Sequence, residues 1–172
     1  MKNNSTNSTF ILALGLILLG AFSRLLPHPM NFTAIGAISL LSGSKIKDRR
    51  LSMIIPLTAM LFSDLCIGLH ATMIPVYLSI AIISLLGLMM GDSPKSISIL
   101  NYTLSGSLIF FLVTNLPIWY HSSYSNDFNG LMTSYTAALP FFRNQLAGDL
   151  LFTVSLFGIY SFVKSRVIEK AI

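Results

Sequence analysis

Apolar positions in this chain fall in long runs broken by short polar clusters. Alternating strands and soluble amphipathic helices do not give that spacing. A helix needs roughly 20 apolar residues to cross a hydrocarbon core ~30 Å thick. Measured against that length, the pattern predicts helices over about Thr9 to Leu26, Asn31 to Gly43, Leu51 to Leu69, Thr72 to Met90, Ser96 to Pro117 and Gln145 to Val163. The second is short and rich in small residues (Thr33, Ala34, Gly36, Ala37, Ser39), which suits a tilted or re-entrant path inside a bundle. The expected fold class is an all-α membrane protein with about six transmembrane helices in one bundle, residues 9–164. A polar leader, residues 1–8, is expected to be disordered on the cytoplasmic side, and residues 165–172 form a basic cytoplasmic tail. Lys2 and the apolar stretch from Phe10 to Phe22 have the outline of a signal peptide, but no A-x-A site precedes Arg24. A faint echo relates Pro56 and Asp64-Leu65 to Pro140 and Asp149-Leu150, as in transporters built from repeated halves.

Composition removes the soluble alternative. Only 10% of the 172 residues are charged and 53% are hydrophobic, against about 25% charged in a soluble domain. The mean hydropathy is +0.74, so the lipid bilayer is the expected solvent for most of the surface. The net charge of +5 does not point to nucleic acid, because no basic patch is interleaved with stacking aromatics. It reads instead as a topology signal. The densest basic cluster, Lys45 to Arg50, is placed in the cytoplasm, and alternating outward from it puts Lys2, Lys95, Lys164, Arg166 and Lys170 there too. Only Arg24 and Arg143 fall outside, which favours an even number of spans with both termini cytoplasmic. The single cysteine, Cys66, excludes an internal disulfide.

The two exceptional arginines point to the chemistry. Arg24 closes the first helix on the outer side and Arg143 precedes the last, while Asp64 and Asp149 lie near the same face. His28, His70 and His121 also map there. An intramembrane charge costs at least ~2.5 kcal/mol, so such groups are paired or functional. Arg24 and Arg143 are therefore expected to pair with Asp64 and Asp149, either to lock helices or to contact a ligand as well. The stiff corner Pro27-His28-Pro29 leads to Asn31. A long outer connection carrying Trp119, Tyr120, His121, Tyr124 and Tyr135 is expected as an interfacial belt or a lid. Gln145, Asp149 and Thr153 recur every four residues and share one inward face.

Enzyme signatures are absent. The chain has no G-x-x-x-x-G-K-[ST], H-E-x-x-H, G-x-S-x-G or C-x-x-C. The histidines have no metal-selecting spacing, so no metal, cofactor or catalytic residue is expected. An enzyme built on Asp64 and His70 would need the chain to turn between them, because six residues on a helix point about 240° apart. A structural or assembly role without a ligand is the main alternative.

The runs Arg24-Leu25-Leu26-Pro27-His28-Pro29-Met30-Asn31-Phe32-Thr33, Ser63-Asp64-Leu65 with His70, and Pro140 to Asn144 with Gly148-Asp149-Leu150 resemble an uncharacterised bacterial family described as membrane transport proteins. In length and helix count that family is similar to the substrate-binding S components of energy-coupling-factor transporters. The resemblance implies a bundle in the bacterial inner membrane with a vitamin-sized, outward-opening pocket for a small-molecule substrate. Its implied partner is an ATPase module reached through a membrane coupling subunit. The substrate-binding residues implied are Arg24, His28, Asn31, Asp64, His70, Trp119, Arg143, Asn144 and Asp149. The A-x-x-x-A pattern by which S components often dock is missing from the stretch Ala13 to Ala21.

Overall fold

The computed structural model describes the backbone of residues 2–121 and 124–169, and side chains within 10–120 and 124–165. These residues form six helices and no strand: α1 (Lys2–Leu25), α2 (Ile35–Lys45), α3 (Arg49–Ile67), α4 (Met73–Met90), α5 (Ser96–His121) and α6 (Phe128–Glu169). Four of them, α3 to α6, are long and apolar enough to cross a membrane. The first turns of α1 fall on the Asn/Ser/Thr leader, and its apolar part is Phe10–Leu25. The side chains of Lys2, His121 and Arg166, and the whole of Lys170, lie outside the described residues.

Polarity along α5 is reversed relative to a helix of a soluble bundle. On α5, Ile97, Leu100, Leu104, Leu108, Leu112 and Leu116 face outward at helical spacing, while Thr103, Ser107 and Thr114 are buried. Apolar groups outside and hydroxyls inside suit a surrounding solvent of hydrocarbon. Most of the buried hydroxyls bond to the carbonyl one turn back, as Thr103 does to Ile99 and Thr114 to Phe110.

The short helix α2 is the axis of the bundle. Its 11 residues reach only about 16 Å at 1.5 Å each, too little to span. Yet it contacts all five other helices, and from Ala37 to Ser44 it is buried throughout. Two glycines let it approach α4 backbone to backbone: a Cβ on Gly43 would strike the Ser84 carbonyl, and one on Gly87 the Leu40 carbonyl. The chain reaches α2 through residues 26–34, which leave helical conformation at the Pro27-His28-Pro29 corner. Asn31 then takes a left-handed turn (φ 64°), a conformation that asparagine tolerates better than most residues. Asn31 and Thr33 of this non-helical stretch line a cavity inside the bundle, the setting in which irregular backbone is tolerated within a membrane.

The α5–α6 hairpin departs from expectation. The segment expected as a long outer loop is largely helix, since α5 runs through Pro117 and α6 starts at Phe128 and continues through Pro140. At 42 residues, α6 extends about 63 Å, so the hairpin overshoots the rest of the bundle. Asp127 caps its start, accepting from the Gly130 N–H (2.7 Å) and the Ser125 hydroxyl (2.7 Å). Tyr135 donates to the Leu112 carbonyl (2.7 Å), and Phe111 packs against Tyr135 and Phe142. These contacts zip the two helices together and hold the aromatics against the hairpin.

Opposite ends of the bundle differ in charge. At one end Lys45 Nζ donates to the Asp92 carbonyl (2.5 Å) and sits 5.5 Å from the ring centres of Phe157 and Tyr160. This ties the α2–α3 linker, the α4–α5 linker and the last part of α6 into a basic end that also carries Lys47, Arg49 and Arg50. The other end gathers the C-termini of α1 and α3 with the start of α4.

Candidate ligand-binding cavity

At the end away from the lysines, α1 and α3 are fastened by an ion pair. Arg24 Nη1 lies 2.5 Å from Asp64 Oδ1 and donates to the Ser63 hydroxyl and the Met60 carbonyl. The Asp64 side chain is 0% exposed and that of Arg24 15%. Tyr77 of α4 donates its hydroxyl to Asp64 Oδ2 (2.8 Å), so the same carboxylate joins three helices. Gly68, at φ +115°, ends α3 and turns the chain. That turn brings His70 Nε2 to 3.7 Å from Asp64 Oδ2, which a continuous helix would have prevented. His70 Nδ1 meets the Thr72 hydroxyl at 2.9 Å. His28 is held by the corner itself, its ring nitrogens facing the carbonyls of Pro29 (2.7 Å) and Arg24 (3.3 Å).

Behind this rim lies a cavity of about 400 Å³. His28, Asn31, His70 and Thr72 surround its mouth, with Arg24 on its wall. Deeper in, Ile35, Met60, Val76, Ile80, Ile83 and Phe110 make an apolar lining. Gln145 and Asp149 of α6 reach the lining beside Gly36 at the start of α2. A volume of several hundred Å³ with mostly apolar walls and a few placed polar groups is the usual form of a small-molecule site.

Asp149 is held differently from Asp64. Its Oδ2 accepts from the Ser107 hydroxyl (2.7 Å) and the Gln145 amide (3.4 Å), and Gln145 also donates to the Ser107 carbonyl (3.2 Å). No cation among the described residues pairs with it. Gly36 makes room for the carboxylate, since a Cβ there would collide with Asp149 Oδ1. The first turn of α2 has no side-chain cap, and its partial positive charge faces the same region.

The nine residues expected at a site therefore separate. Arg24, His28, Asn31, His70 and Asp149 line the cavity, and Asp64 stands behind Arg24 as its counter-ion. Arg143, Asn144 and Trp119 do not line it. The expected Arg143–Asp149 pair is absent: the two are six residues apart on one helix, about 240° around its axis, and Arg143 is exposed. Trp119 donates to the Ser125 carbonyl (3.0 Å) at the hairpin tip, so it is no lid on the cavity. Gln145, Asp149 and Thr153 do share a buried face, but Thr153 lines a separate groove between α5 and α6. Ser107, Tyr77 and Phe110 are the contributors that sequence reasoning missed. For Ser107 a signal existed, because Thr103, Ser107 and Thr114 form a hydroxyl stripe at helical spacing on an otherwise apolar span. Among the described residues, no group of three or more His, Cys, Asp or Glu could hold a metal ion.

The chain belongs to a family of unknown function, DUF6580, which it matches over residues 4–171. No curated protein and no solved structure matches it.

Proposed function

We propose that this chain is the substrate-binding subunit of a small-molecule importer, embedded in the bacterial inner membrane and loaded from the side away from the cytoplasm. One observation carries the reading: a cavity of about 400 Å³, apolar within and polar at its rim, lies toward the end of the bundle opposite the basic cluster. The positive-inside rule assigns the lysine-rich end to the cytoplasm, so the cavity faces outward. Its size suits a vitamin-like molecule with a ring and polar groups. The resemblance to S components adds an ATPase module, acting through a membrane coupling subunit, as the source of energy.

The test is retention of a ligand. Native mass spectrometry of the gently purified protein should find a bound small molecule that is neither lipid nor detergent. Val76→Trp, which places an indole in the cavity, should lose that molecule while far-UV circular dichroism is unchanged. A wild-type protein that carries nothing, and takes up nothing from a cell extract, overturns the proposal. The Arg24–Asp64–Tyr77 cluster specifically favours a second reading, a scaffold whose ion pair only locks helices, because Arg24 is already engaged by three partners. The scaffold predicts an empty cavity and no effect of Val76→Trp on function in the cell.

A further inference from the structure

Charge at the cavity does not balance. Arg24 is matched by Asp64 at 2.5 Å, and that pair is neutral as a unit. Asp149 has no such match. Its two hydrogen bonds come from neutral groups, Ser107 and Gln145, and both end on Oδ2. Oδ1 accepts none, and it is not among the buried side-chain atoms that lack a partner, so it keeps access to open space. Asp149 lines the cavity, although the residue as a whole is only 6% exposed, and also a much smaller gap beside Gly36 and Ser107. A carboxylate removed from water seeks a counter-charge, and among the described residues none pairs with it, which leaves the partial charge at the start of α2.

We propose that Asp149 Oδ1 is the anchor for a cationic group on the ligand, and that the cavity selects an organic ammonium with an apolar body. The walls fit such a molecule. Ile80 and Ile83 line the cavity for the hydrocarbon part, and Phe110 adds an aromatic side chain of the kind that attracts cations. An anionic ligand would meet an unpaired carboxylate at the deep end and an arginine already neutralised at the wall. This inference rests on the cavity's being a ligand site and adds the sign of the ligand's charge.

Three probes with one phenylpropyl skeleton test it on the full chain in nanodiscs: 3-phenylpropylammonium, 3-phenyl-1-propanol and 3-phenylpropanoate, followed by ligand-observed NMR and thermal shift at millimolar concentration. The ammonium is expected to bind wild type at least about tenfold more tightly than the alcohol, with the propanoate weakest. Asp149→Asn keeps the shape and the Ser107 and Gln145 partners, and should erase the preference between ammonium and alcohol. The wild-type ranking decides the matter even if that variant does not fold. Equal binding of all three, or tightest binding of the propanoate, overturns the cationic anchor and leaves the cavity as a ligand site. A preference that survives unchanged in folded Asp149→Asn overturns the role of this residue in the same way. Failure of every probe to bind wild type overturns the anchor and counts against the ligand site as well.

Discussion

Removing either member of the Arg24–Asp64 pair should destabilise the bundle, and unequally. Breaking a buried pair costs about 3–5 kcal/mol, because the survivor is an uncompensated charge. Which charge survives decides the size. Arg24→Met leaves Asp64, 0% exposed, with the Tyr77 hydroxyl and a partly exposed His70 at 3.7 Å as its remaining polar neighbours. That variant should sit near the upper end, about 4–5 kcal/mol. Asp64→Leu leaves Arg24, 15% exposed on the cavity wall, still bonded to Ser63 and Met60 and able to turn toward water. It should cost less, about 2–3 kcal/mol, including about 1 kcal/mol for the Tyr77 hydroxyl that loses its acceptor. Replacing both by apolar groups removes the buried charge altogether, so Arg24→Met with Asp64→Leu should return to within about 1–2 kcal/mol of wild type. Reversible unfolding in mixed micelles with increasing dodecyl sulfate, followed by far-UV circular dichroism, gives all four corners of the cycle. A double variant as unstable as the sum of the singles, or an Asp64→Leu costlier than Arg24→Met, would refute the reasoning.

Two further outcomes are expected. Gly87→Ala should cost about 1–3 kcal/mol by overpacking, since its methyl would meet the Leu40 carbonyl across the α2–α4 contact, and the same unfolding assay reads it. The Asp127 carboxyl is held below its ordinary range by the Gly130 N–H and the Ser125 hydroxyl. Its contribution to the start of α6 is therefore complete above an unfolded aspartate's pKa of about 4 and fades as the pH falls through the lower folded value. Amide exchange at Gly130 should lose protection only below about pH 4, and Asp127→Asn should remove that pH dependence.

Where the chain enters and leaves its helices was largely legible in α3 and α4. The expected spans, Leu51 to Leu69 and Thr72 to Met90, lie within two residues of the observed ones. The Asp48 cap, accepting from the Arg50 and Leu51 N–H groups, starts α3 earlier, and Gly68, inside the expected span, ends it. The α5–α6 region was not legible, because a ruler of apolar length sees only segments bathed in lipid. Residues 128–144 are too polar for that ruler, yet they stay helical by packing Ser134, Tyr135 and Ala138 along one side of α5. Pro117 and Pro140 read as breakers, but a proline inside an apolar helix is tolerated where neighbouring groups re-satisfy the freed carbonyl. The site was half legible for a related reason. Sidedness placed Arg24, His28, Asn31, His70 and Asp149 on one end, and the structure lines a single cavity with them. Sidedness carries no information about azimuth, however, so Arg143 was put at the same end with no means of knowing that it points away. Tyr77 was hidden because hydroxyl residues are common in spans and nothing local marks the few that reach a carboxylate. The hydroxyl stripe that includes Ser107 marked a buried face without naming Asp149 as its partner.

The shortness and enclosure of α2 bear on how such a protein is made. An eleven-residue segment containing three serines is a poor substrate for the insertion machinery, which partitions long greasy stretches one at a time. Most of its footing comes from α4, α5 and α6, all synthesised after it, although α1 and α3 also touch it. The expected order of insertion therefore seats this segment only once its later neighbours are in place. A ribosome product cut short after α3 would lack most of the scaffold that surrounds α2.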